Sequence, residues 1–305
     1  TVKPEHAHMP LVWMLVLTQL SVGTFCINLF LNRVFQSSLN AVHVFVALGV
    51  GLLALAASIF HLGRPQYFYR AILGFKTSWL SREIVAFGIF AKIAILYSVC
   101  VQWSFIREWV GAILGGAQVL DLLGMIVCFT GLIGVLCSVM VYRDTKRPFW
   151  DNHFTTFKFL STIVLLGLAM SLVMLCFIDP QHNEMNPILK NNIALTIIGL
   201  SVVKLWVEAG IFYYLIKDDH HFLKKSAILM IRPLKKFTLA RFMCGVLGGM
   251  MLPAVFLSFH SETSWWIGLT GSLGILAFMF AGECLERYLF FRAVVSLKMP
   301  GGQMN

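Results

Sequence analysis

The chain is 305 residues long, 58% of them hydrophobic and only 12% charged, with a mean hydropathy of +0.80 and a formal net charge of +10. A soluble globular domain carries about 25% charged residues, so that class is excluded and the composition is that of an integral membrane protein. Apolar runs of roughly 20 residues recur, each long enough at about 1.5 Å per residue to cross a hydrocarbon core of about 30 Å. They must be α-helices, because backbone amides in lipid need partners within their own segment.

Eight spans are predicted, over about 9–31, 41–60, 80–103, 113–142, 155–178, 191–216, 239–259 and 264–290. The fold class is therefore an all-α bundle of eight transmembrane helices. The even number of crossings puts both termini on one side. With short loops and no low-complexity linker, 1–305 reads as one membrane domain. The first run follows Lys3, Glu5, His6 and His8 and has no small-residue cleavage pattern behind it, so it is expected to stay as a span. Of the 24 Lys and Arg, Lys92 and Lys204 lie deep within spans, and Arg33, Arg107 and Lys190 lie on the side away from the termini. The other 19 lie on the side of the termini, a positive-inside bias that predicts cytoplasmic termini. Docking of an acidic partner or of anionic lipid would use the same charge.

Between spans two and three lie His61-Leu62-Gly63-Arg64-Pro65 and Ser78-Trp79-Leu80-Ser81-Arg82-Glu83. His61 ends one span and Glu83 begins the next, so a hairpin brings both to one membrane depth. Quinone chemistry moves two electrons and two protons, and it needs a hydrogen-bonding group at the head-group and a proton route to water. An imidazole titrating near neutral pH and a carboxylate at a membrane boundary supply both. Taken singly, His61 and Arg64 read as interface anchors and Glu83 as the counter-charge of Arg82 or Arg64. As a cluster beside a lipid-accessible helix pair, they favour a functional site.

Charges inside spans cost about 2.5–3.5 kcal/mol each on insertion scales and invite the same question elsewhere. Lys92, nine residues beyond Glu83, either lines a polar cavity with it or snorkels; Asp121 marks a boundary. Lys204 and Glu208 share a helical face, which permits an ion pair with a structural or a proton-transfer role. Glu283, Glu286 and Arg287 are expected to satisfy one another. The seven cysteines sit in apolar runs without a C-x-x-C and read as small core hydrophobes, with no metal site. His220-His221 reads as part of a solvated basic loop, and the glycines at 268, 271 and 274 as helix packing. His43 and His61 bracket span two, about 27 Å apart along a helix, and cannot share a haem iron. His43 and His260 would meet at the wrong depth, so no haem is expected.

H-L-G-R-P at 61–65 and S-W-L-S-R-E at 78–83, with Val141-Tyr142-Arg143-Asp144-Thr145 and Arg147-Pro148-Phe149-Trp150 after span four, carry a family resemblance. The sequence resembles the membrane-anchor subunit of dimethyl sulfoxide reductase and its relatives, in the wider polysulfide-reductase-like group, through all eight spans. The resemblance implies a haem-free anchor in a bacterial inner membrane. Such an anchor holds a ferredoxin-like iron–sulfur subunit, itself bound to a molybdopterin catalytic subunit. It exchanges electrons with membrane quinone, ubiquinone or menaquinone, and the clusters and molybdopterin stay on the partner chains; nothing implies a nucleic-acid partner. The family's quinol-associated histidine and glutamate fall on His61 and Glu83. Arg64, Ser81 and Arg82 are expected to complete the quinone site, and Arg64, Arg70, Arg143 and Arg147 to form the docking face. Relatives run in both directions, and the R-P/S-W-L-S-R-E form tilts toward the sulfite-oxidising branch. A purely structural anchor stays open, as does a secondary transporter with Lys92, Lys204 and Glu208 as a charge relay. The inverted repeats and interrupted helices of such transporters are not visible in the sequence.

Overall fold

The computed structural model describes residues 3–6, 9–35, 41–59, 73–114, 116, 118–178, 185–216, 222–258 and 265–295, and every regular element among them is helical. The helices are α1 (Met9–Phe35), α2 (Ala41–Ile59), α3 (Trp79–Gln102), α4 (Ser104–Leu114), α5 (Val119–Arg143), α6 (His153–Ile178) and α7 (Met185–Ala209), then α8 (Phe222–Ile231), α9 (Lys235–Val246), α10 (Leu252–Leu257) and α11 (Trp265–Arg292). Among the described residues, eight helical segments are long and apolar enough to cross a membrane: α1, α2, α3, α5, α6, α7 with its 3₁₀ extension Gly210–Leu215, the α9–α10 run, and α11. This is the all-α, eight-span architecture expected from composition.

Two spans differ from their predicted outlines. The fourth begins at Val119 and not near 113, because α4 and a turn through Gly116 intervene. α4 buries Val110 and Gly111 and exposes Phe105, Trp109 and Ile113, the two-faced pattern of a helix lying in the interface. Its apolar residues run on into the span and hide the break. The seventh span, expected to be uninterrupted, contains a π-helical turn at Leu247–Met251 just ahead of Pro253. Proline offers no N–H to the preceding turn and crowds it, which a local widening accommodates.

α6 is buried along nearly its whole length and packs chiefly on α1, then on α11 and α7. One apolar cluster joins α1, α2, α3 and α5, and a second joins α1, α6, α7, α10 and α11. Between helices in lipid there is no hydrophobic driving force, so close van der Waals approach decides association. α1 crosses α6 at Gly23 and Gly167, where a Cβ on Gly23 would fall 2.0 Å from the Ile163 carbonyl oxygen. α3 and α5 meet as large side chains into small ones. Phe87 lies over Gly134, Phe90 over Gly131 and Tyr97 beside Gly124. These pairs step along the two antiparallel helices in one register, by three and then by seven residues, the spacing of a coiled-coil seam.

The described ends of the chain meet at one end of the bundle. Glu5 N donates to Arg292 O at 3.3 Å, and Arg292 Nε donates to Glu5 O at 3.0 Å.

Because no side-chain atom fits between α1 and α6, Gly23→Ala is expected to destabilise the protein by about 1–3 kcal/mol. Gly49→Ala, whose added carbon meets nothing within 4 Å, should be neutral. Thermal unfolding followed by size-exclusion chromatography in detergent separates the two, and an equal response would contradict the crossing.

Candidate functional site

The Ser78 hydroxyl caps α3 by accepting from Ser81 N at 3.4 Å. Glu83 follows one turn in, about 6 Å below the helix end, on the face turned to α5, where it is 6% exposed. Ser138 sits five residues before the end of α5, so the antiparallel pair brings it to the same depth. Its Oγ lies 2.5 Å from Glu83 Oε1 and 3.2 Å from the Gly134 carbonyl oxygen. The contact continues the Phe87–Gly134 register by one more step toward the helix ends.

Ser81 is also buried, whereas Arg82 turns to the loop. Arg82 donates to Phe75 O at 3.0 Å and to Lys76 O at 2.9 Å, and it lies 4.2 Å over the Trp79 ring. Arg82 is therefore not the counter-charge of Glu83, and among the described residues no cation is in ion-pair contact with that carboxylate. His61, Arg64 and Arg70 lie outside the described residues.

The stretch after α5 folds back onto the end of α11. Tyr142 packs among Trp150, Phe159, Phe290 and Phe291, and Trp150 Nε1 donates to Phe290 O at 2.8 Å. Thr145 Oγ1 donates to Tyr142 O at 2.6 Å and ends the helix, while Lys146 takes a left-handed φ of 56°. Arg143 pairs with Asp151 at 3.6 Å, and Arg147 lies 4.8 Å over the Trp150 ring. Both arginines remain partly exposed at this face.

Beside this site, an ion network joins α6, α7, α9 and α11. Lys204 pairs with Glu283, not with Glu208, and its Nζ donates to Thr162 Oγ1 at 2.6 Å. Arg241 binds Glu208 through Nε at 2.9 Å and Nη2 at 2.7 Å, and it reaches Glu283 at 3.2 Å. The expected intrahelical pair is thus replaced by two interhelical ones, because facing helices offer each charge a nearer partner. Glu286 pairs with Arg287 and lies 3.9 Å from Lys158. Arg287 also reaches Gln19 at 3.2 Å and lies 3.8 Å over the Phe159 ring. Two cavities flank the network, one between Lys204 and Gly249 and one between Lys158 and Glu208, each with space for about one water.

Of the remaining sequence candidates, Lys92 is exposed on the outer face of α3, half a helical turn away from Glu83, and lines no cavity with it among the described residues. Asp121 meets Arg33 at 3.3 Å at the opposite end of the bundle. His43 is fully buried, with neither ring nitrogen bonded among the described residues. His220, His221 and His260 lie outside them.

Residues 5–293 match the family described as DMSO reductase anchor subunit (DmsC). The protein belongs to this family. It is 34% identical over 204 residues to an anaerobic dimethyl sulfoxide reductase chain of Haemophilus influenzae, covering 65% of this sequence and 67% of that protein. It is 35% identical to a sulfite dehydrogenase subunit of Allochromatium vinosum over 39% of this sequence and 38% of that protein. It is 30% identical to the anaerobic dimethyl sulfoxide reductase protein YnfH of Escherichia coli over 43% of this sequence and 42% of that protein.

In this anchor-family protein, sequence reasoning misses Ser138 and the part played by Arg241, which by sequence falls among the basic loops. Depth counting finds both. Ser138 lies five residues from the end of span four and Glu83 four from the start of span three, and Arg241 lies six residues inside its helix.

A buried pair that loses one partner strands a charge, at about 3–5 kcal/mol. Lys204→Met and Glu283→Gln are each expected to destabilise the anchor by that order, and the double variant by clearly less than the sum. A double-mutant cycle on thermal unfolding in detergent measures the coupling, and simple additivity would contradict the network.

Proposed function

We propose that this protein is the quinone-reactive membrane anchor of a three-subunit molybdopterin and iron–sulfur oxidoreductase, with its whole length acting as one membrane domain. The observation that carries the reading is Glu83, a buried carboxylate one turn below a membrane face, held by a hydroxyl and by no described cation. A structural carboxylate in such a bundle is pinned by cations, as Glu208 and Glu283 are. One left without a counter-charge suits proton exchange.

The donor set fits a quinone head-group. Glu83 Oε2 has no hydrogen bond among the described residues, which leaves it for a ligand hydroxyl, and the walls formed by α3 and α5 are otherwise apolar. When bound, the quinone supplies a two-electron, two-proton couple. His61 and Glu83 would hold its oxygens, with Ser81, Arg64 and Arg82 completing the site, and Glu83 would take or return a proton at its carboxylate oxygen.

Electrons pass to or from a docked ferredoxin-like iron–sulfur subunit, for which Arg64, Arg70, Arg143 and Arg147 form the docking face. Substrate conversion, sulfite oxidation or sulfoxide-type reduction, belongs to the molybdopterin subunit. Relatives named for both reactions support either direction. The membrane is the bacterial inner membrane, with the basic face and termini cytoplasmic, as the distribution of Lys and Arg supports.

His61→Ala and Glu83→Gln are expected to lower quinone-linked turnover of the complex by about 10²–10⁴-fold while sparing dye-linked activity of the soluble subunits. Unchanged quinone turnover in both variants would leave a purely structural anchor. For orientation, a cysteine placed at exposed Lys146 should be shielded from an impermeant thiol reagent in spheroplasts, and one at exposed Glu108 should be labelled; the reverse pattern would place the basic face outside.

A further inference from the structure

We propose that Ser138 is a positioning residue that holds Glu83 in both of its protonation states by rotating one hydroxyl hydrogen. The inference rests on the quinone reading for its purpose and on the α3–α5 geometry for its substance.

A serine hydroxyl has one hydrogen to donate and two lone pairs to accept with. Ser138 Oγ stands within reach of two acceptors, Glu83 Oε1 at 2.5 Å and Gly134 O at 3.2 Å, and its single hydrogen serves one at a time. With Glu83 ionised, the hydrogen points to Oε1 in a charge-assisted bond. With Glu83 protonated, the carboxyl hydrogen is donated to Ser138 Oγ, and the hydroxyl hydrogen swings back to the Gly134 carbonyl. Both states are then fully bonded at this oxygen, and the change moves hydrogens only.

A cation in this position would hold the charged state alone, as Arg241 does for Glu208. An alanine would leave both states without a partner. The separation that the switch needs is set one turn deeper, where the Phe87 ring fills the place of a side chain at Gly134; a Cβ there would fall 2.6 Å from the ring. Phe87 and Gly134 are each four residues from Glu83 and Ser138, so the same contact fixes the helix spacing and presents the Gly134 carbonyl.

Among the described residues, the other titratable or charged groups around Glu83 are few. Arg82 on its own helix is held by loop carbonyls, Cys137 and Tyr142 lie on α5, and Arg287 of α11 lies beyond Tyr142. None of them hydrogen-bonds to Glu83 among the described residues, so Ser138 is its polar contact there.

The test is infrared difference spectroscopy of the full-length protein in nanodiscs across a pH titration, with the Glu83 carboxyl band assigned by its loss in Glu83→Gln. Ser138→Ala should move the protonated band to the higher wavenumber of an unbonded carboxyl. Ser138→Thr, which keeps the hydroxyl, should restore it. In the assembled complex, Ser138→Ala should lower quinone-linked kcat about tenfold, with KM and dye-linked activity little changed.

An unaltered band in Ser138→Ala would overturn the inference, even where Glu83→Gln abolishes quinone turnover. Intact turnover in Glu83→Gln would instead overturn the role of Glu83 in the quinone reading, and the band would still decide what Ser138 does.

Discussion

Lipid gives packed helices neither water for stray polar groups nor a hydrophobic reason to adhere, so close fit has to do both jobs. In this protein the fit is made at glycines, by backbone against backbone or by large side chains lying over them. Gly23 and Gly167 bring α1 against the buried α6, and Phe87, Phe90 and Tyr97 seat themselves over Gly134, Gly131 and Gly124. Removing side chains from α5 lets α3 approach until the Glu83 carboxylate comes within hydrogen-bonding reach of the Ser138 hydroxyl. Ser138 stands in that series of small residues, and Glu83 in the series of large ones. Their contact is the polar end of an otherwise apolar seam.

The two polar centres differ in a way that separates structure from chemistry. In the network of α6, α7, α9 and α11, Glu208 and Glu283 each face a fully buried cation, and Thr162 and Gln19 supply further bonds. A group tied by that many partners resists any change of charge, and removing one partner strands the others. Among the described residues Glu83 has one partner, a neutral hydroxyl that can either give or take a hydrogen. Low local dielectric makes both arrangements consequential: the network rigidifies the second half of the bundle, while the α3–α5 pair presents a carboxylate whose state can change without rearranging helices.

How much of this is legible in the sequence follows from which physical signal each feature leaves. Eight apolar runs are read directly, because span length is dictated by bilayer thickness. The exposed pair Arg33–Asp121 agrees with a boundary reading of Asp121. Glu83 stands out because a carboxylate is rare in such a run. Ser138 does not, since a serine in an apolar helix usually bonds its own backbone, and only its depth relative to Glu83 distinguishes it. Lys204 and Glu208 read as a pair along one helix, where spacing is visible. Their true partners, Glu283 and Arg241, are set by which helices face each other, and a single sequence does not encode that in its spacing. α4 is hidden for a related reason: hydropathy does not distinguish a helix lying along the interface from one crossing it.

Depth along the helices also ties the two centres to one face. Glu83 lies about 6 Å from the end of α3, which is itself about 36 Å long. Thr162 and Glu283, nine residues from their helix ends on the same side, lie about 13 Å in. Toward the opposite end, the buried polar side chains include His43 and Asn28, and no hydrogen bond joins them to the network among the described residues. On the proposed reading, a proton exchanged at Glu83 therefore has a short way to the near face and about 30 Å of mostly apolar helix to the far one. If the iron–sulfur partner docks on the near face, electron and proton leave the quinone toward the same side, and turnover at this site moves little net charge across the membrane.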